Sequence, residues 1–146
     1  MQERQPKYKI FIIDDDPFVL DIIETMLAES PEYEITKFLN SPNALNAVND
    51  QKPDIVILDI NMPIMNGFEF CHALKSNIDT RHVSVILATA YDSKHSQSDG
   101  LIKYGADSYI PKPINRERLL ACIQNIIKVR EKQNPQNKNA LFLRVI

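Results

Sequence analysis

The sequence predicts an α/β fold, a three-layer α/β/α sandwich around a five-stranded parallel sheet. Two observations carry that expectation. Five short apolar stretches, at 8–13, 33–39, 54–58, 83–88 and 107–110, alternate with segments read as helices, most with apolar residues at helical spacing. Strands alternating with helices in this way build βαβ units, whose right-handed crossovers cover both faces of a parallel sheet.

Taken in order, the first strand contains Lys9-Ile10-Phe11-Ile12-Ile13 and runs into Asp14-Asp15-Asp16. Pro17 fits the opening turn of a helix over 17–29, in which Val19, Ile22, Ile23, Met26 and Leu27 recur at helical spacing. Tyr33 to Leu39 reads as a strand of imperfect alternation. Ser41 reads as an N-cap, with Pro42 at the first helical position of a helix reaching Asn49 on a narrow face of Ala44, Leu45 and Val48. Residues 55–58 are continuously apolar after Asp54, as expected of a strand covered on both sides, and end in Asp59.

Asn66-Gly67 then precedes a helix over 67–76, with Phe70 or Cys71 and Leu74 turned inward. Strand 83–88 ends in Thr89, and a polar helix over 93–104 follows, with Gly105 as its C-terminal cap. Strand 107–110 leads into Lys112-Pro113. The last helix, 115–131, presents Leu119, Leu120, Ile123, Ile126 and Ile127 on its apolar face. Residues 132–139 are polar and broken by Pro135, and 140–146 turn apolar again. The expected organisation is one domain over 1–131, then a linker and short tail over 132–146, the tail being a docking strand or the start of a further domain.

At 146 residues and 44% hydrophobic content, the chain suits a single core. A formal net charge of -2 supplies no basic field for nucleic acid. No apolar run approaches the roughly 20 residues of a membrane span, and Met1-Gln2-Glu3-Arg4-Gln5 opens no signal peptide, so the expected location is cytoplasmic. Cys71 and Cys122 lack CxxC spacing and read as buried reduced thiols. His72, His82 and His95 show no ligand-like spacing and read as surface or loop residues.

The chemistry gathers at strand ends. In an open parallel sheet the carboxyl ends of the strands line one crevice, where ligands bind. If these strands are neighbours, the acids after the first and third meet Thr89 and Lys112 there. Two like charges about 4 Å apart repel by roughly 4 kcal/mol at an effective dielectric near 20. Such a cluster takes up a proton or recruits a cation. Mg2+ suits it best, because that ion prefers carboxylate and water oxygens and shares its site with phosphate.

Five motifs stand in one order: Asp14-Asp15; Leu58-Asp59-Ile60-Asn61-Met62-Pro63; Met65-Asn66-Gly67; Ala88-Thr89-Ala90; and Gly105-Ala106-Asp107-Ser108-Tyr109-Ile110-Pro111-Lys112-Pro113. With them the chain, from about Lys7 to Val129, resembles the receiver domain of two-component response regulators. The resemblance implies a flavodoxin-like (βα)5 fold with strand order 2-1-3-4-5. It implies a regulatory phosphoprotein rather than an enzyme, taking a phosphoryl group from a sensor histidine kinase or histidine phosphotransfer protein. Asp59 would be the phosphoacceptor. Mg2+, with Mn2+ as a substitute, would be held by the Asp15 and Asp59 carboxylates, the Asn61 backbone carbonyl and waters, one on Asp14. Asp16 is assigned no metal bond.

Lys112 would pair with Asp59 or a phosphoryl oxygen, and Thr89 would donate its hydroxyl to another. A cis bond is expected between Lys112 and Pro113, while Pro111 removes a backbone donor at the strand end. Thr89 and Tyr109 would form the switch. Helix 93–104, strand 107–110 and helix 115–131 would form the output surface and a homodimer contact, without direct nucleic-acid or membrane binding. Asn61 and Tyr91 occupy positions that would gate the lifetime of the phosphoryl group.

Two alternatives compete. A pseudo-receiver interaction module usually loses the acidic pair, the acceptor or the lysine, and all are present here. A haloacid-dehalogenase-like phosphatase needs Asp-x-Asp-x-Thr or Val, and Asp14-Asp15-Asp16-Pro17-Phe18 fails at the last position.

Overall fold

The computed structural model describes residues 8–90 and 105–133. Its strands are β1 (Tyr8–Ile13), β2 (Tyr33–Phe38), β3 (Ile55–Asp59), β4 (Ser84–Thr89) and β5 (Ser108–Pro111). The helices among the described residues are α1 (Pro17–Leu27), α2 (Ser41–Gln51), α3 (Gly67–Lys75) and α4 (Arg116–Gln133). All strand pairs are parallel, in the order β2-β1-β3-β4-β5. That is the flavodoxin-like order expected.

Every residue of β3 and β4 is buried, which explains their unbroken apolar character. Alternation still sorts their side chains. Phe11, Ile13, Val56, Leu58, Val85 and Leu87 join one core cluster with Ala44 and Val48 of α2 and Phe70, Cys71 and Leu74 of α3. Helix α1 packs on β1 and β2 through Leu20, Ile23 and Leu27, which stand outside that cluster. The sheet is thus covered on both faces.

Several expectations need correction. Leu20, not Ile22, turns inward on α1, and Ile22 is 49% exposed. Leu20, Ile23 and Leu27 follow one helical stripe, and Ile22 falls about 100° from Ile23 around the axis. The cap of α2 is Asn40, whose side chain accepts from the Asn43 N–H at 2.8 Å; Ser41 and Pro42 already lie within the helix. Both Phe70 and Cys71 are buried, so α3 did not have to choose between them. Cys122 is only half-buried, whereas Cys71 is fully so. His72 and His82 are exposed as expected.

Element ends shift by one or two residues. Asp59, Thr89 and Pro111 are the last residues of their strands, and helix α4 includes Lys132 and Gln133. Taken by itself, α4 opens with the Asn115 side chain accepting from the Arg118 N–H at 3.0 Å, and its buried residues are Leu119, Ile123 and Ile126. The expected helix 93–104, Tyr91, His95 and the tail from 134 onward lie outside the described residues.

Candidate functional site

Four strand ends supply the site. Asp14 follows β1, Asp59 closes β3, Thr89 closes β4 and Lys112 follows β5. Carboxylate oxygens of Asp14, Asp15 and Asp59 all lie within 4.8 Å of one another. Asp14 and Asp59 are buried, while Asp15 is exposed. Lys112 Nζ reaches over them, 2.7 Å from Asp14 Oδ2 and 3.1 Å from Asp59 Oδ2. Burial works against the charge on Lys112, but the hydrogen bond and charge of Asp14, then those of Asp59, outweigh it. The result is a pKa above the ordinary lysine value, so the ammonium persists beyond neutral pH.

Local backbone fixes the remaining oxygens. The Asp16 N–H donates to Asp14 Oδ1 at 2.9 Å, and the Asn61 N–H donates to Asp59 Oδ1 at 3.1 Å. Asp16 is the N-cap of α1: its side chain accepts from the Phe18 N–H at 2.9 Å. That role engages the third aspartate with the start of the helix. The Asp16-Pro17 pair carried the sequence signal for a cap, the same signal applied to Ser41-Pro42. Thr89 is buried, and its carbonyl accepts from the Lys112 N–H at 2.7 Å. This bond closes β5 on β4 one residue past Pro111, which has no N–H to offer. The peptide bond from Lys112 to Pro113 is cis, as expected.

Gly67, which the sequence offered as punctuation and as part of a motif but without a role in the site, lies against the backbone of Asp59. A Cβ there would stand 2.8 Å from Ile60 Cα and 2.9 Å from the Asp59 carbonyl oxygen. Its N–H donates to the Ile60 carbonyl at 2.8 Å. Helix α3 therefore starts in direct contact with the backbone that carries Asp59, and only glycine permits it. A capping box holds that start: Asn66 accepts from the Glu69 N–H at 2.9 Å, and Glu69 accepts from the Asn66 N–H at 3.0 Å. Between Ile60 and Gly67, Ile64 adopts φ 71°, with the Met65 N–H bonded to the Pro63 carbonyl at 2.7 Å, a γ-turn.

A flavodoxin-like domain with three acids and one lysine at its switch point defines a class of phosphoryl-handling regulatory domains, and comparison with known proteins agrees. The profile of the response regulator receiver domain matches residues 10–124. Response regulator PleD of Caulobacter vibrioides is 33% identical over 120 residues, covering 82% of this chain and 26% of that protein. Protein PilH of Pseudomonas aeruginosa is 31% identical over 119 residues, covering 82% of this chain and 97% of PilH. The signal receiver domain of a Vibrio parahaemolyticus LuxO-type repressor aligns with a TM-score of 0.80 at 26% identity, covering 87% of this chain and 95% of that one. The chain belongs to the response regulator receiver family. It spans about a quarter of PleD and about half of a Guillardia theta transcriptional regulator that it also matches.

Proposed function

We propose that this receiver domain accepts a phosphoryl group on Asp59 from a phosphohistidine of a sensor histidine kinase or histidine phosphotransfer protein. The observation that carries the reading is the clustering of Asp14, Asp15 and Asp59 under Lys112. An Asp59 carboxylate oxygen forms the new bond to phosphorus while the phosphorus–nitrogen bond breaks. Its electron pair leaves on the donor's imidazole nitrogen. Asp59 is held for this by the Asn61 N–H on one oxygen and Lys112 on the other. Lys112 then passes from the carboxylate to a phosphoryl oxygen, and the Thr89 hydroxyl donates to another. Such transfer is mostly positioning and electrostatics.

An all-oxygen donor set within this span fits Mg2+, or Mn2+ in its place, better than a softer metal. Asp15 and Asp59 would hold the ion directly, with the Asn61 carbonyl, and Asp14 through a water. When bound, the ion offsets negative charge gathering on the phosphoryl oxygens.

Thr89 and Tyr109 form the proposed switch: Thr89 moves toward the phosphoryl group and Tyr109 fills the space it leaves. Segments 93–104, 107–110 and 115–131 carry the change to an output partner or a second copy. Asn61 and Tyr91 gate the approach of the hydrolytic water. The cytoplasm, where such kinases present their phosphohistidine, is the proposed location. No helix among the described residues is long and apolar enough to cross a membrane.

Treatment with acetyl phosphate and Mg2+ tests the reading. The expected product is an acid-stable, alkali-labile acyl phosphate on Asp59, absent from Asp59→Asn. Phosphate mapped by mass spectrometry to a serine or threonine overturns it.

A further inference from the structure

Asp54 and Asp107 each stand one residue before a strand, β3 and β5, at the end of the sheet opposite the crevice. Each makes the same pair of bonds to one residue of the neighbouring strand. The Asp54 N–H donates to the Lys9 carbonyl at 2.8 Å, and Asp54 Oδ2 accepts from the Lys9 N–H at 2.8 Å. The Asp107 N–H donates to the Val85 carbonyl at 2.9 Å, and Asp107 Oδ2 accepts from the Val85 N–H at 2.7 Å. Such a double bond fixes the register of one strand against the next. Each aspartate also lies five residues before a crevice group, Asp59 after Asp54 and Lys112 after Asp107.

The two latches differ in what else holds their strands. β3 is central, paired with both β1 and β4, and wholly buried. β5 has four residues, pairs among the described strands only with β4, and ends in Pro111. Fewer pairings therefore hold the register of β5 than hold that of β3. The β5 latch is reinforced accordingly. Lys75 Nζ donates to Asp107 Oδ2 at 2.9 Å, to the Val83 carbonyl at 2.6 Å and to the Arg81 carbonyl at 3.2 Å. The stem of Lys75 lies over Gly105, where a Cβ would stand 3.3 Å from Lys75 Cγ.

We propose that Asp107, clamped by Lys75, is a positioning residue for phosphoryl transfer, setting the register of β5 and so holding Lys112 against Asp14 and Asp59. A slip of one residue moves a strand by about 3.3 Å and turns its side chains to the opposite face. Lys112 lies only 2.7 and 3.1 Å from its two acids, so a slip of that size breaks both contacts. Asp14, Asp15 and Asp59 stand on β1 and β3 ends and keep their places. Loss of the clamp therefore impairs transfer without weakening metal binding. The inference rests on Asp59 being the phosphoacceptor.

The test is a double-mutant cycle on the whole chain, with acetyl phosphate as donor and Mg2+ fixed at saturation. Asp107→Ala is expected to lower the initial rate of Asp59 phosphorylation about tenfold, a modest misplacement effect. Mg2+ affinity, read by calorimetry, does not fall, and in the Lys112→Ala background Asp107→Ala causes no further loss of rate. Lys75→Met keeps both bonds between Asp107 and Val85 and gives a smaller loss in the same non-additive pattern. It serves as the test should Asp107→Ala not fold. An undiminished rate, an equal loss in both backgrounds, or a parallel loss of Mg2+ affinity overturns the inference while labelled Asp59 in the wild-type protein leaves the phosphoacceptor reading standing. A wild-type chain that takes no label on Asp59 overturns both.

Discussion

Each end of the sheet carries a lysine among acceptors, and the two lysines keep different company. At the far end, Lys75 meets two backbone carbonyls and one carboxylate, that of Asp107, whose Oδ2 also serves the Val85 N–H. Within that contact one positive charge meets one negative charge. At the crevice end, Lys112 faces Asp14 and Asp59, and Asp15 stands within 4.8 Å of both. Three carboxylates against one ammonium leave a formal excess of two negative charges. The Lys75–Asp107 contact leaves no charge over, whereas the crevice cluster carries an excess that a cation would offset. Local charge balance thus distinguishes the Lys75–Asp107 contact from that of Lys112 with its acids, although both sit at strand ends.

Removing an acid from the unbalanced end should produce the largest effect. Asp15 is exposed, so its loss costs the fold little, yet it supplies one of three carboxylates. Asp15→Ala is expected to lower Mg2+ affinity by about 100-fold or more and to remove phosphorylation with it. Calorimetric titration checks this, and unchanged affinity breaks the contrast between the two ends.

The glycines at the two ends sharpen it. At Gly67 a Cβ would meet backbone atoms of Ile60 and Asp59 at 2.8 and 2.9 Å, which cannot rotate away. Gly67→Ala should cost about 1–3 kcal/mol in urea unfolding and displace Asp59, slowing phosphorylation. Gly105 has φ 79° but meets only the flexible Lys75 stem, at 3.3 Å. Gly105→Ala should cost about 1–2 kcal/mol through backbone strain and leave Mg2+ affinity intact. Equal effects of the two substitutions on Mg2+ affinity would show that Gly67 does not support Asp59.

The crevice end was legible in the sequence, because its residues are chemically conspicuous. Asp14, Asp59, Thr89 and Lys112 each follow or close an apolar run, and the parallel order brings such ends together. The far end was not legible. Lys75 stands in the last turn of a helix, where a lysine ordinarily reads as a solvated charge, and only the tertiary fold turns it toward Asp107. Gly67 looked like turn punctuation because a close approach to Ile60 is set by packing rather than by local pattern. The caps divided in the same manner. Pro42 drew attention to Ser41 while Asn40 makes the bond, since proline is tolerated anywhere in the first turn, where no N–H is needed.

Loss of the α3 cap should have a smaller effect. Asn66→Ala removes the acceptor of the Glu69 N–H and half of the capping box. About 1 kcal/mol of stability is expected to go, read from the urea midpoint. Mg2+ affinity should change little, since Gly67 still seats α3 against Ile60. A large fall in affinity would mean that the cap, rather than the glycine, holds Asp59.

The smallest effect lies in the pH response of the far end. Burial raises the Cys71 thiol from 9.0 to about 11, with the Lys75 charge pulling it down and the Asp107 charge pushing it up. Because the folded value is the higher one, the folded chain keeps a proton that the unfolded chain releases. This contribution to stability is complete below about pH 9 and is lost as pH climbs toward 11. The same proton protects the thiol from alkylation, which needs the thiolate. Cys122 is only half-buried and should react first with iodoacetamide at pH 8, with Cys71 following only as the chain opens. Mass spectrometry of the labelled peptides decides the order. Equal rates at the two cysteines would mean that the core under α3 opens far more readily than its burial implies, and the far end would no longer qualify as the fixed half of the comparison.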